Sequence, residues 1–113
     1  METKEQKNIA ECPVAYALNL IGGKWHFQII WALYKKPVQR YNELKRRVDG
    51  ITNMMLSQSL KELEQYGLVT RIQYPEIPPR VEYSLTEEGR ALTPIISELA
   101  RWGVKQMAAR KDS

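Results

Sequence analysis

Apolar residues recur every three or four positions over most of the chain, which predicts a predominantly helical protein. The first helix begins at Pro13, whose fixed φ and missing N–H suit a first helical position, and ends at a Gly-Gly pair. The second helix covers 24–36 and stops before Pro37. A third, short helix covers 40–48 and is followed by a tight turn.

The fourth helix has the clearest limits and two contrasting faces. Thr52 is its predicted N-cap, and Gly67 is the left-handed residue that ends it. Residues three and four apart share one side of a helix. The predicted buried side consists of Leu56, Ser59, Leu60 and Leu63, and the side away from the core carries Met54, Ser57, Gln58 and Lys61. The outer side therefore lacks the carboxylates that are common on solvated helices.

Beyond Gly67 the apolar residues alternate with polar ones, as they do in half-buried strands. Segments 68–75 and 80–85 are predicted to pair as a hairpin. Thr86 caps a last helix, which Pro94 should kink near its first turns. Two helices joined by a short turn and followed by a hairpin indicate an α+β, mostly helical fold. The prediction is a winged helix-turn-helix with a two-stranded β-hairpin wing and a terminal dimerisation helix.

The length of 113 residues suits one domain with one modest core. We assign 12–113 to this domain, including its C-terminal dimerisation helix, and 1–11 to a flexible N-terminal arm. Hydrophobic residues make up 43% and charged residues 27% of the chain, which is an ordinary globular balance. The apolar stretches are too short for a bilayer span or a secretion signal, so we expect a cytoplasmic protein with no membrane association.

Positive charge is concentrated in the segment 35–47, "KKPVQRYNELKRR". It holds six basic residues and one acidic residue, a local excess of +5, while the whole chain has a net charge of +4. Such a concentration attracts phosphate backbones. Taken alone, the segment is also compatible with a solvated surface rich in lysine and arginine.

The outer face of the fourth helix carries side chains that can read base edges in a major groove. Gln58 can pair with adenine, Ser57 with several base edges, and Met54 can pack against a thymine methyl group. Lys61 suits a phosphate, and Asn53 can reach a base or a phosphate. The predicted DNA-binding residues are Thr52, Asn53, Met54, Ser57, Gln58 and Lys61 on this helix, with Arg40, Lys45, Arg46 and Arg47 at the backbone. The alternative is a polar helix with an accidental composition.

Four motifs together resemble the HxlR-type family of winged helix-turn-helix transcriptional regulators, which is related to the MarR group. They are "CPVAYALNLIGGKWHFQIIWAL", "RYNELKRRVDGIT", "LSQSLKELEQYGLV" and "PPRVEYSLTEEGRAL", and they span about Cys12 to Trp102. The resemblance implies a homodimer on a roughly palindromic operator, with the terminal helices at the dimer interface. It also implies that Arg80 of the wing contacts the minor groove, and that repression is the commoner mode of regulation.

The last helix carries more apolar positions than one face of a small core can cover, which independently favours a dimer. The predicted interface residues are Ile95, Ile96, Leu99, Trp102 and Met107. A dimer would place two recognition helices about 34 Å apart, one turn of DNA. The alternative is that this helix packs back onto the first helix within a monomer.

Cys12 directly precedes Pro13 at a predicted helix N-terminus, where unpaired N–H groups favour a thiolate. Regulators of the family that this chain resembles include sensors of quinones, aldehydes or oxidants with a cysteine in this "CP" position. Because the chain has one cysteine, the available products are adducts or a Cys12–Cys12 bridge across a dimer. The alternative is that Cys12 only packs beside the first helix.

Nothing in the sequence favours an enzyme, a metal site or a cofactor. His26 has no cysteine, second histidine or acidic cluster at metal spacing, so we predict a structural or surface histidine. "GGKW" lacks the glycine spacing of a phosphate-binding loop. Trp25, Trp31 and Trp102 suit a core or an interface, although aromatic residues between the first helix and the dimer helix can also line a pocket for a small effector. The alternative function is a protein-interaction module that has the winged-helix shape without operator binding.

Overall fold

The computed structural model describes residues 12–111, so the predicted arm 1–11 lies outside the described residues. The elements are α1 (Pro13–Ile21), α2 (His26–Lys35), α3 (Tyr41–Arg47), α4 (Asn53–Gln65), β1 (Val69–Tyr74), β2 (Arg80–Leu85), α5 (Glu87–Ala91) and α6 (Thr93–Lys111). This order confirms the predicted mostly helical winged helix-turn-helix. Within 12–111, no helix combines the length and the apolar character needed to cross a membrane.

The core is built around α2, whose Ile29, Ile30 and Leu33 are almost completely buried. This helix contacts α3, α4, β2 and α6. Leu44 of α3 and Leu63 of α4 complete the same cluster, and both are fully buried. Each such side chain contributes about 1.5–3 kcal/mol through removal from water. The shared core therefore fixes α3 and α4 relative to each other.

Gln39 joins the helix-turn-helix to the wing, a role that the sequence pattern did not indicate. Its buried side-chain Nε2 donates to the carbonyl oxygens of Ala32 at 2.7 Å and Lys36 at 2.9 Å. These bonds satisfy carbonyls at the C-terminal end of α2. Its backbone N–H and C=O pair with Tyr83 of β2 at 3.0 and 2.8 Å. The hairpin is thus anchored just before α3 begins.

The two strands form an antiparallel hairpin in which Val69 lies opposite Leu85 and Tyr74 lies opposite Arg80. The buried base of the hairpin is the pair Val69 and Leu85, which belongs to the core. Its far end extends away from the core, and Ile77 in the connection is fully exposed. The predicted hairpin is confirmed, and it stands beside α4 as a wing.

The predicted last helix is two helices. Thr86 caps the first of them, α5, as predicted, since its side chain accepts a hydrogen bond from the N–H of Gly89 at 3.0 Å. The helix then ends at Ala91, and α6 begins at Thr93. Pro94 lies in the first turn of α6, where its missing N–H removes no bond within the helix. The predicted kink is found as a complete break at Leu92, two residues before Pro94.

Large apolar side chains of α1 and α6 remain outside the core of the protomer. Exposed apolar residues are Val14, Tyr16 and Leu18 on α1, and Ile95, Leu99, Trp102, Val104 and Met107 on α6. Ile96 is different, because it is only 7% exposed and belongs to the core cluster. Its assignment to the dimer interface stays a prediction, in which a partner could reach only a small exposed part of the side chain.

Candidate nucleic-acid interface

Helix α4 has well-defined ends, which fix the direction of its exposed face. At its start the hydroxyl oxygen of Thr52 accepts a hydrogen bond from the N–H of Met55 at 3.1 Å. At its end Gly67 has a φ of 76°. The N–H of Leu68 bonds to the carbonyl of Leu63 at 2.9 Å, and the N–H of Gly67 bonds to that of Glu64 at 3.0 Å. These two bonds form a Schellman motif, which confirms the predicted end of the helix. The Thr52 cap confirms the predicted start.

The two faces of α4 divide as the sequence pattern predicts. Leu56, Ser59, Leu60 and Leu63 are buried, and Thr52, Asn53, Met54, Ser57, Gln58 and Lys61 are exposed. Met54 is 76% exposed, although methionine is usually buried. The exposed face thus presents a hydroxyl, an amide, a thioether and an ammonium group to an incoming partner. The hydroxyl oxygen of Thr52 accepts the capping bond, and its proton can still be donated to a phosphate.

Helix α3 presents positive charge because its one carboxylate is used internally. Glu43 pairs with the ammonium group of Lys36 and accepts a hydrogen bond from the N–H of Arg40 at 3.1 Å. The bond from Lys36, followed by that from the Arg40 backbone, holds the pKa of the Glu43 carboxyl below its usual range. Among residues 12–111, no carboxylate lies within 4.0 Å of the cations of Arg40, Lys45, Arg46 and Arg47. These cations are therefore available to phosphates.

Arg80, the predicted minor-groove residue, is held against the surface of the wing. Its Nε lies 2.9 Å from a carboxylate oxygen of Glu76 and 3.7 Å from one of Glu82. Its guanidinium carbon lies 4.1 Å from the centroid of the Tyr74 ring. The two carboxylates partly neutralise the charge that Arg80 would bring to a minor groove, an effect that the sequence did not indicate.

Arg71 is a basic residue that the sequence reasoning missed. It is exposed on β1 and lines a cleft between α4 and the wing together with Ser57, Lys61 and Tyr83. The alternation along β1 indicates which residues share a face of the strand, but it does not indicate which face turns toward α4. Glu64 also lines the cleft, but Lys61 and Arg71 leave it with a positive excess, which makes it a second candidate site for a phosphate.

Cys12 and His26 occupy contrasting environments. Cys12 is a free, exposed cysteine at the N-cap position of α1. His26 is buried, and its Nδ1 donates to the carbonyl of Leu20 at 3.0 Å while its Nε2 lies 3.3 Å from a carboxylate oxygen of Glu62. These contacts tie the end of α1 to α4, which is a structural role. In the described part of the chain, no three histidine, cysteine or acidic residues are grouped to hold a metal ion.

An apolar groove lies between α2 and α6. It is lined by Phe27, Gln28, Trp31, Ile96, Leu99 and Ala100. Trp31 belongs to this groove, which contains no residue of α1 and therefore differs in place from the effector pocket predicted between the first helix and the dimer helix. The indole of Trp31 also lies against Tyr34 and Lys35 of its own helix.

Known proteins are similar to this chain in both sequence and fold. The sequence profile of the family described as HxlR-like helix-turn-helix matches residues 20–111. The HTH-type transcriptional regulator BH0655 of Halalkalibacterium halodurans is 52% identical over 99 residues, which are 88% of each chain. The redox regulator HypR in its reduced form superposes with a TM-score of 0.82 at 39% identity, over 90% of this chain and 100% of that one. Reduced YodB, a transcriptional regulator from Bacillus subtilis, superposes with a TM-score of 0.71 at 38% identity, over 80% and 89%. The capped helix with a polar outer face, the wing beside it and these matches show that the chain belongs to the HxlR-like family of helix-turn-helix transcriptional regulators.

Proposed function

We propose that this protein is a homodimeric, sequence-specific DNA-binding repressor that acts in the cytoplasm on a roughly palindromic operator. The observation that carries the proposal is the exposed face of α4, which combines base-reading groups with the adjacent unpaired cations of α3. A recognition helix needs both properties, since base contacts specify and phosphate contacts position. The proposal includes no catalytic group and no cofactor.

The proposed base contacts come from the first two turns of α4. Gln58 is exposed there and offers the paired donor and acceptor that match adenine, while Met54 offers an apolar surface to a thymine methyl group. Arg46 and Arg47 lie in the last turn of α3 and are placed for phosphates beside the groove. Repression then follows from occupancy, because a protein dimer covering promoter DNA excludes other proteins from it.

The exposed apolar faces of α1 and α6 support the homodimer. A small monomer rarely leaves so many large apolar side chains in contact with water. A symmetric partner would bury Leu99, Trp102 and Met107 of both copies in one interface. Leu99 also lines the apolar groove beside α2, so a small effector that binds in this groove would act next to the proposed interface.

We also propose that Cys12 makes DNA binding sensitive to oxidants or electrophiles. The thiol is exposed, and the similar protein HypR is described as a redox regulator. With diamide, the Cys12 thiols of two protomers would lose two protons and two electrons to form a disulfide, and diamide would become the corresponding hydrazine. With a quinone, the Cys12 sulfur would instead add to a ring carbon, and the ring would be reduced to the hydroquinone level.

Fluorescence anisotropy tests both parts of the proposal. Labelled DNA from directly upstream of the gene is compared with scrambled DNA, over a salt series, with and without diamide. We expect selective binding that diamide reverses, and Cys12→Ser should bind equally well but no longer respond. If diamide releases the Cys12→Ser variant from the DNA, the sensor lies elsewhere in the protein. Absence of binding to either DNA at low salt would favour the protein-interaction module instead.

A further inference from the structure

The hydroxyl of Tyr41 connects α3 to the face of α4 that is proposed to read DNA. Tyr41 is the first residue of α3, and its ring packs against the core. Its hydroxyl oxygen lies 2.8 Å from the backbone carbonyl oxygen of Asn53 and 2.9 Å from the hydroxyl oxygen of Ser57. The side-chain oxygen of Asn53 is farther away, at 3.4 Å. One phenol therefore contacts two consecutive turns of α4.

The chemistry of these three groups determines where the protons lie. A carbonyl oxygen can only accept a hydrogen bond, so the contact with Asn53 requires the single proton of the Tyr41 hydroxyl. In the contact between Tyr41 and Ser57, the Ser57 hydroxyl must then donate its proton to the Tyr41 oxygen. If Tyr41 donated to Ser57 instead, its lone pairs would face those of the Asn53 carbonyl at 2.8 Å, which is repulsive.

We propose that Tyr41 is a specificity-determining residue because it commits the hydroxyl proton of Ser57 and turns the exposed side of that oxygen into an acceptor. This inference rests on the proposed function, in which α4 enters a major groove. A free serine hydroxyl can donate or accept, and it discriminates poorly between bases. With its proton held by Tyr41, Ser57 can only receive a hydrogen bond from DNA.

Only some bases offer a donor to such an oxygen. In the major groove, adenine presents its N6 amino group and cytosine its N4 amino group, whereas guanine and thymine present acceptors at the corresponding positions. Ser57 should therefore favour adenine or cytosine over guanine or thymine at the base it contacts. Tyr41→Phe keeps the ring and its packing but frees the Ser57 proton. The preference for adenine and cytosine, called amino bases below, should therefore disappear.

The test is selection from a random double-stranded DNA library with the full-length protein, followed by affinity measurements on the selected sites. We compare wild type with Tyr41→Phe, Ser57→Ala and the double variant. The ratio of affinities for amino bases over the other two should fall about 2- to 10-fold in Tyr41→Phe at one position of each half-site, as loss of one hydrogen bond implies. The same position should relax in Ser57→Ala, and the double variant should lose no more than Ser57→Ala alone.

Tyr34→Phe serves as the matched control, because Tyr34 is an exposed tyrosine of α2 that lines a cleft with Pro37, Leu85 and Arg90, none of which belongs to α4. It should keep the wild-type preference, and thermal melting should show that all variants remain folded. If Tyr41→Phe retains the preference for amino bases, or if Ser57→Ala leaves every position unchanged, the inference is wrong while DNA reading stands. If wild type selects no motif, the proposed function itself fails.

Discussion

Trp102 is the largest apolar side chain that α6 leaves in solvent, and replacing it with alanine tests the proposed dimer most strongly. A tryptophan side chain offers about 150–250 Å² for burial. Because Trp102 is 61% exposed, roughly 90–150 Å² is left for a partner. At about 25 cal/mol per Å², burial of this area contributes about 2–4 kcal/mol per protomer.

A symmetric interface contains this side chain twice, but only part of the buried area is converted into affinity. We therefore expect Trp102→Ala to raise the dimer dissociation constant at least about 100-fold, or about 2.7 kcal/mol. Sedimentation velocity over a concentration series measures this constant directly. Lys105→Ala is the matched control, since it changes an exposed polar residue of the same helix and should leave the dimer intact. An unchanged dissociation constant for Trp102→Ala, or a wild-type protein that stays monomeric at every concentration, would refute this reasoning.

Three further predictions concern the charged surface and the core. Arg46→Ala should weaken binding to all DNA sequences and reduce the slope of log affinity against log salt by about one unit. Arg101→Ala on α6 is the control and should keep the wild-type slope. Equal slopes for Arg46→Ala and wild type would exclude a phosphate contact. Glu43→Gln should lower the melting temperature at neutral pH. The bond from Lys36 lowers the pKa of Glu43 from its ordinary value of 4.5. The stabilisation by the Glu43 carboxylate is therefore complete above that value and is lost as the pH falls through the lowered pKa. A difference in melting temperature between Glu43→Gln and wild type that persists in strong acid would contradict this prediction. Leu63→Ala should lower the free energy of unfolding by about 2–5 kcal/mol in urea titrations, because the side chain is fully buried in the core; a smaller loss would mean that the core collapses around the cavity.

The parts of the fold that depend on local signals could be predicted from the sequence. Both ends of α4 follow from residues that act within one turn, the Thr52 cap and the left-handed Gly67. The buried and exposed faces of α4 follow from helical periodicity alone. These signals are sufficient to locate the candidate recognition surface.

The remaining features depend on tertiary packing, which a single sequence does not specify. Ile95 and Ile96 are adjacent in one apolar stripe, and only the placement of α6 against α2 decides that Ile96 enters the core. The contact of the Tyr41 hydroxyl with α4 requires the relative position of two helices. The ion pairs of Arg80 require the folded wing. In each case the sequence supplies the chemical group, but distant parts of the chain determine its partners.

The central claim is that the outer face of α4 reads bases, and a comparison of two glutamines on this helix tests it most directly. Gln58 lies on the proposed reading face, and Gln65 is an exposed glutamine in the last turn. Affinities of Gln58→Ala, Gln65→Ala and wild type are measured on the selected operator and on scrambled DNA at one salt concentration. We expect Gln58→Ala to lose about 1–3 kcal/mol on the operator and nothing on scrambled DNA, while Gln65→Ala matches wild type on both. Equal losses for Gln58→Ala on the two DNAs, or no loss on either, would contradict the account.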